Sequence, residues 1–477
     1  MSKLDVFVFI SDQHTADLCG FRENVAVKTP HLDELARNGV TYNNAYTSCP
    51  LCVPARASFM TGRRPSKINV FNNDDPYSSG EITFAHCIAN NDYETVLCGR
   101  MHFMGMDQYH GFTKRIANDI TSSLTGLAAI DRLDLTPFCR TFAQKYCTEI
   151  VACGTSPVLD YDEYVVTEVE KYLKEPKEKA QLIVCGTYAP HFPYVAAPEK
   201  VSYYEELLKN MPENEPSGYP ESAFSNKRQI IERSRLIKIR ATYYAMIETM
   251  DEQVGRAKHA FDRYLEESGH EGIFIYLSDH GDQIGVKQYY GKQTFYEYSA
   301  KIPLIISGAG IPTNKQINTP VSIMDIGPTL CGITNSPALP FADGYDLTLH
   351  LDTDEDRIVL SEFFDCDVNG KPISGYMARD NRYKLITYSG YENEDILLDM
   401  LCDPREEMNV ASQYPEIVAK LKESIPKDDY RKEKLAEYTR HLGSQKILNT
   451  WGKRNPWANV GVWFAESNHP YIIMCTE

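Results

Sequence analysis

The sequence predicts an α/β fold: a large, central, mostly parallel β-sheet sandwiched by helices, followed by a smaller C-terminal α+β domain. Three observations carry that prediction. Short continuous runs of apolar, β-branched and aromatic residues recur over about the first 350 residues, which is how strands buried on both faces of a parallel sheet read. Helix-like segments lie between the runs, as strand–helix alternation requires. After Leu351-Asp352-Thr353-Asp354 the strand-like pieces shorten and lead into a charged helical stretch.

The elements follow in order. Val6–Ile10 is the first buried strand and ends at Ser11-Asp12; the same pattern returns at Gln181–Thr187, Gly272–Ser278 and Ile302–Ser307. Helices are expected over Pro30–Asn38, Tyr161–Leu173 and Arg240–Leu265, the last with apolar residues at helical spacing. Arg115–Pro157 and Ala197–Arg233 lack periodicity and read as insertions that shape substrate access or decorate the surface. In the C-terminal part Arg357–Glu362, Gly375–Arg379 and Tyr383–Tyr388 read as short strands and Tyr414–Leu442 as helix, dividing the chain into domains 1–355 and 356–477. No internal repeat is present.

Composition excludes several function classes. With 49 Lys plus Arg against 66 Asp plus Glu, the net charge is −17, so nucleic acid and anionic membranes are not expected partners. An anionic substrate must then be held by a local cluster of cations or a metal. Aromatic content of 11% and charged content of 24% exclude a disordered chain. The thirteen cysteines are odd in number and scattered singly, which reads as reduced, buried thiols in a cytoplasmic protein. The apolar run Val6–Ile10 is too short for a signal-peptide core, and no stretch approaches the roughly 18 apolar residues of a membrane span.

Chemistry-bearing residues fall where strands end. Asp12, Tyr188-Ala189-Pro190-His191 and Asp279-His280 each directly follow a strand-like run, and open α/β sheets bind ligands beyond the carboxyl ends of their strands. The most specific stretch is Cys49-Pro50-Leu51-Cys52-Val53-Pro54-Ala55-Arg56, continuing to Thr61-Gly62-Arg63-Arg64. Cys49-x-x-Cys52 read as a redox pair or half a zinc site lacks the second pair or the context that either needs. A cysteine-phosphatase cradle needs five residues between Cys and Arg, and three separate Cys52 from Arg56.

The stretch resembles the Cys-x-Pro-x-Arg signature of the type I sulfatases, in the alkaline phosphatase-like superfamily, with Ala55 where the common form has Ser. Further motifs recur in family order: Ser11-Asp12-Gln13-His14, Gly99-Arg100-Met101-His102, Ala189-Pro190-His191-Phe192-Pro193, Ser278-Asp279-His280-Gly281-Asp282 and Tyr290-Gly291-Lys292. Asp343-Gly344, Tyr383-Lys384-Leu385 and Asp403-Pro404-x-Glu406 recur as structural landmarks. The resemblance makes 1–355 the catalytic domain and implies that Cys52 is oxidised to formylglycine by a maturation enzyme. It also implies a divalent cation held by Asp12, Gln13, Asp279, His280 and the modified residue 52. Hard oxygen donors favour Ca²⁺, and the imidazole makes Mg²⁺ or Mn²⁺ the alternative.

Hydrolysis of a sulfate ester needs neutralised oxygens, a nucleophile and a proton for the leaving oxygen. By the resemblance, hydrated formylglycine is the nucleophile, activated by the metal and Arg56, and His102 is the base that regenerates the aldehyde. Lys292 and His191 bind the ester and protonate the leaving oxygen, Arg100 takes the place of a family lysine, and Asn73 is a further sulfate-oxygen donor. Alone, Asp12 would equally be a helix cap, His102 or His191 a buried histidine, and Lys292 a surface residue; their co-occurrence at strand ends argues for function. His14, His31 and His110 are read as ordinary histidines. The nearest alternative is a phosphonate monoester or phosphodiester hydrolase of the same superfamily, against which Arg100-x-His102 argues. An inactive binding protein would have lost charged positions that are all present. Trp451, Trp457 and Trp463, near Lys453, Arg454 and His469, form a tail that packs on the main domain, lines the substrate mouth or makes a homo-oligomer interface.

Overall fold

A computed structural model describes residues 3–22, 26–121, 146–210, 219–350, 357–391 and 393–454. Its main sheet contains β1 (Asp5–Asp12), β2 (Gly39–Tyr42), β3 (Tyr93–Gly99), β4 (Lys114–Ala117), β5 (Ala180–Pro190), β6 (Gly272–Ser278), β7 (Leu304–Gly308) and β8 (Lys315–Ile317). They lie in the order β8-β2-β7-β6-β1-β5-β3-β4. All neighbours are parallel except β7, which runs against both β2 and β6. The continuous run Ile302–Ser307 is therefore two elements. Lys301–Ile302 pairs with Ala45–Tyr46 in a small separate sheet, and Pro303, lacking an N–H, separates it from β7.

The central strands are apolar on both faces because both faces are covered. Along β1, Phe7 and Phe9 enter one core with helices α3 (Pro157–Leu173) and α4 (Arg233–Ser268), while Val6, Val8 and Ile10 enter the other with α2 (Cys52–Thr61). Helix α1 (Pro30–Arg37) packs against α4, where the Asp251 carboxylate accepts the His31 and Leu32 N–H groups at 3.1 and 2.8 Å. Both α3 and α4 extend beyond the lengths expected from periodicity.

The supposed insertions are partly regular: β4 opens the first, and Pro198–Leu208 in the second is a helix. The C-terminal part is a four-stranded antiparallel meander of β9 (Val359–Cys366), β10 (Pro372–Arg379), β11 (Tyr383–Tyr388) and β12 (Ile396–Asp399). The expected single helix is two, Pro415–Lys422 and α5 (Asp428–Arg454), separated at Pro426. Lys384, fully buried, ties the meander to the short helix Glu297–Ala300: its Nζ lies 2.7 Å from Glu297 Oε1, and it also pairs with Glu406. That gives the Tyr383-Lys384-Leu385 and Asp403-Pro404-x-Glu406 landmarks a physical role. The 355/356 boundary, Trp457, Trp463 and His469 lie outside the described residues, and Trp451 sits partly exposed near the end of α5. Among the described residues every cysteine is free, and no helix is long and apolar enough to cross a membrane.

Candidate active site at the carboxyl ends of the strands

Strand order brings the motifs together. β1 and β6 are neighbours, so Asp12 at the end of one and Asp279 just past the other lie side by side. Cys52 is the first residue of α2, a helix buried along its whole length, and Arg56 is one turn further on. The N-cap Leu51 has no side-chain oxygen, and Asn73 Oδ1 instead accepts the Val53 N–H at 2.9 Å. Asn73 thus caps the helix that begins with Cys52.

Ligand atoms of Asp12, Cys52, Asp279 and His280 all lie within 4.8 Å of one another and are buried. His280 Nδ1 faces the Gly281 carbonyl at 3.0 Å, so Nδ1 carries the proton and the Nε2 lone pair points at Cys52 Sγ, 3.2 Å away. Burial drives the His280 pKa down to about 4, with Lys292 adding to the effect against the opposing pull of Asp279. Gln13 Oε1 reaches the same centre through Lys292 Nζ, which lies 2.9 Å from both Gln13 Oε1 and Cys52 Sγ. Two carboxylates, an amide oxygen and a neutral imidazole form a donor set that fits a divalent cation.

Cations surround these acids. Arg56 Nε donates to Asp279 Oδ2 at 2.8 Å, Nη2 to Asp12 Oδ2 at 3.2 Å and Nη1 to the Arg100 carbonyl at 2.9 Å. Arg100 Nε donates to Asp12 Oδ2 at 2.7 Å, and its guanidinium lies over the Tyr188 ring. Burial alone would raise the Asp12 pKa, but Arg100 above all, with Arg56 and Lys292, holds it well below the ordinary carboxylate value.

Both remaining histidines are kept neutral. His191 has its pKa pushed well down by burial and then by Lys292; its Nδ1 faces the Phe192 carbonyl, so Nε2 accepts from Lys292 Nζ at 2.9 Å. His102, half-buried, has its pKa lowered by burial and by Arg100, whose Nη2 donates to His102 Nδ1 at 3.0 Å. The nearby Cys52 side chain pulls the other way, favouring the protonated ring. Because Arg can only donate, the neutral His102 ring carries its proton on Nε2.

All ten of Cys52, Arg56, Arg100, His102, His191, Lys292, Asp12, Gln13, Asp279 and His280 therefore meet in one cluster, with Asn73 at its rim. His14 turns away, to the Tyr276 hydroxyl and the Leu18 carbonyl. Sequence reasoning missed the carboxylates that seat this cluster. Asp119, in a segment read as an insertion, accepts the Met101 and His102 N–H groups at 3.0 and 2.6 Å and supports His102 at its φ of +54°. Asp162 on α3 accepts the Tyr188 and Ala189 N–H groups at 2.6 and 2.7 Å. Those amides leave the ladder where the β1–β5 register slips between Ile10↔Gly186 and Asp12↔Pro190, just before His191. Only Asp282 stands inside a quoted motif, two residues past His280.

A covered, mostly parallel sheet with an acid-and-cation cluster at its carboxyl edge is the architecture of an alkaline phosphatase-like hydrolase. The sulfatase family model matches residues 5–336, and the model of the N-sulphoglucosamine sulphohydrolase C-terminal region matches residues 285–431. The chain is 29% identical over 440 residues to choline-sulfatase of Rhizobium meliloti (strain 1021), covering 86% of this chain and 82% of that protein. It is 27% identical over 484 residues to human arylsulfatase K, covering 92% and 87%. Among solved structures, a 2-O GAG sulfatase superposes with a TM-score of 0.68 at 20% identity, covering 92% of this chain and 94% of that one. The phosphonate monoester hydrolase of Agrobacterium radiobacter superposes with the same TM-score and identity, covering 92% and 96%. This chain belongs to the sulfatase family, the type I sulfatases of the alkaline phosphatase-like superfamily, and is a sulfuric ester hydrolase.

Proposed function

We propose that the protein hydrolyses a small-molecule sulfate monoester to alcohol and sulfate, using formylglycine made from Cys52 by a maturation enzyme and a divalent cation held by Asp12, Gln13, Asp279, His280 and residue 52. Ca²⁺ is the first choice of ion, ahead of Mg²⁺ or Mn²⁺. The reading makes residues 1–355 the catalytic domain and 356–477 the C-terminal domain. One observation carries it: the side chain of Cys52, at the amino end of a buried helix, is where the cation donors, Lys292 and His102 converge. The hydrated aldehyde supplies a hydroxyl nucleophile with a second hydroxyl for releasing sulfate, and the cation supplies charge to offset the ester oxygens.

The rest is done by the chain's own residues. Arg56 ties the Asp12 and Asp279 carboxylates together and adds positive charge one turn behind the nucleophile. Lys292 has its pKa raised despite burial, by Cys52, Asp12 and Asp279; the two carboxylates stay when Cys52 is converted, and with them Lys292 enters the reaction carrying a proton. His191 Nε2 faces Lys292, which lets the pair bind an ester oxygen and deliver that proton to the leaving oxygen. Arg100 closes the opposite side, bridging Asp12 and His102. With Arg100 on Nδ1, His102 starts with its proton on Nε2. It acts there as the base in its other tautomer, with Nδ1 protonated and released by Arg100 and Nε2 free to take the proton of the second hydroxyl.

The second reading, phosphonate monoester or phosphodiester hydrolysis, draws on the Asp-Gln and Asp-His donor set. Mass analysis of the peptide containing Cys52 after co-expression with a maturase tests the first premise, since thiol-to-aldehyde conversion lowers the mass. Sulfate and phosphonate esters competed on that preparation then separate the readings. An unconverted Cys52 refutes the nucleophile, and a phosphonate preference refutes the sulfate assignment.

A further inference from the structure

Asp282 lies outside the cation's donor set, yet we propose that it is a positioning residue that decides which end of the Gln13 side-chain amide faces the cation. The proposal rests on the cation reading above. Gln13 sits in the left-handed region, with φ of +71°. Its backbone is pinned at both ends: the N–H donates to Asp279 Oδ1 at 3.1 Å, and the carbonyl accepts the Tyr243 hydroxyl at 2.5 Å. Its side-chain Nε2 donates to Asp282 Oδ2 at 2.5 Å, leaving Oε1 toward Lys292 Nζ at 2.9 Å, beside Cys52.

The oxygen and nitrogen ends of an amide have nearly the same shape, so packing cannot choose between them; only hydrogen-bond polarity can. Asp282 is fully buried, and each partner found for its carboxylate is a donor. Oδ1 takes the Ile284 and Gly291 N–H groups at 2.9 and 3.0 Å, and Oδ2 takes Gln13 Nε2 and the Tyr194 hydroxyl, both at 2.5 Å. An ionised carboxylate can only accept. Turning the Gln13 amide over would press two acceptor oxygens together and offer an NH₂ group to the cation, which it cannot ligate. The same carboxylate, through the Gly291 N–H, also fixes the residue before Lys292.

A reciprocal exchange tests this against a purely structural role for Asp282. In Asp282→Asn one oxygen becomes NH₂; if the remaining oxygen keeps the two backbone amides, Gln13 turns its oxygen toward that new NH₂ and its own NH₂ toward the cation. Gln13→Glu alone sets a carboxylate against Asp282. In the double variant, the carboxylate at position 13 accepts from the new amide at position 282 with one oxygen and keeps the other for the cation. Ca²⁺ affinity is measured by equilibrium dialysis on the full-length, metal-stripped proteins, and stability by urea unfolding in chelator.

We expect each single variant to bind Ca²⁺ about tenfold more weakly or worse, and the double variant to return to within about threefold of wild type. Gln13→Glu should cost stability beside the native Asp282 but not in the Asp282→Asn background. Unchanged Ca²⁺ affinity in Asp282→Asn, or a double variant no tighter than the singles, would overturn the proposal. Should Asp282→Asn fail to fold, a soluble, Ca²⁺-binding double variant supports it and an insoluble one overturns it. If wild type binds no Ca²⁺, Mg²⁺ or Mn²⁺, the cation reading fails instead, and the stability cycle still judges Asp282: strictly additive costs refute it.

Discussion

Replacing Arg56 by Lys keeps the charge and removes the fork. The guanidinium serves Asp279 at 2.8 Å, Asp12 at 3.2 Å and the Arg100 carbonyl at 2.9 Å, all three away from solvent. An ammonium on a flexible stem cannot span two carboxylates and a carbonyl at once. Losing two of three bonds, each contributing roughly 1.5–3 kcal/mol when a charged group is involved, gives a destabilisation of about 3 kcal/mol after allowing for the retained charge. Arg56→Met removes the charge too and should cost about 3–5 kcal/mol, the scale for breaking a buried ion pair. Urea unfolding in chelator measures both. Adding Ca²⁺ should narrow the gap to wild type, because binding to the folded state stabilises it by mass action and offsets the same carboxylates. If both variants lie within about 1 kcal/mol of wild type, Arg56 does not hold the two acids, and its place in the site has been misread.

Two further outcomes follow from groups near and far from the cluster. Burial above all, with Asp33 and Glu252 adding, raises the Asp251 pKa to about 7 against the His31 and Leu32 N–H bonds. The folded state then holds a proton that the unfolded chain has lost. This contribution to stability is complete below the ordinary carboxylate pKa and disappears as pH rises through about 7, a span corresponding to at most about 4 kcal/mol. Asp251→Asn should flatten that part of the pH–stability curve, and curves that stay parallel from about pH 4 to about pH 8 would refute the linkage. Asn73→Ala should cost about 1 kcal/mol for the lost cap on α2 and raise KM if the free end of the amide also meets sulfate. A stability loss with unchanged KM assigns Asn73 to the cap alone, and no change in either removes both roles.

The chemistry was legible because it is local. Cys52 and Arg56 are one helical turn apart, and Asp12, His191 and Asp279 each close a strand whose apolar run announces it. The seating of that chemistry was not. Asp119 falls in a stretch with no periodicity, and Asp162 is one of five acids on an amphipathic helix. Their work becomes visible only when strand ends bring amides to them. The direction of β7 was equally hidden, since a buried strand shows the same apolar run whichever way it points.

By itself, then, the sequence determined the fold class and the family and put forward the candidate site residues, because burial pattern and motif chemistry are written in residues adjacent along the chain. Tertiary structure decided polarity: which nitrogen of His102 carries its proton, which end of Gln13 faces inward, and that Arg56 is committed to two acids. Those choices belong to hydrogen bonds between groups as far apart in the chain as Gln13 and Asp282, or Arg56 and Asp279, and they exist only once the sheet has fixed its strand order.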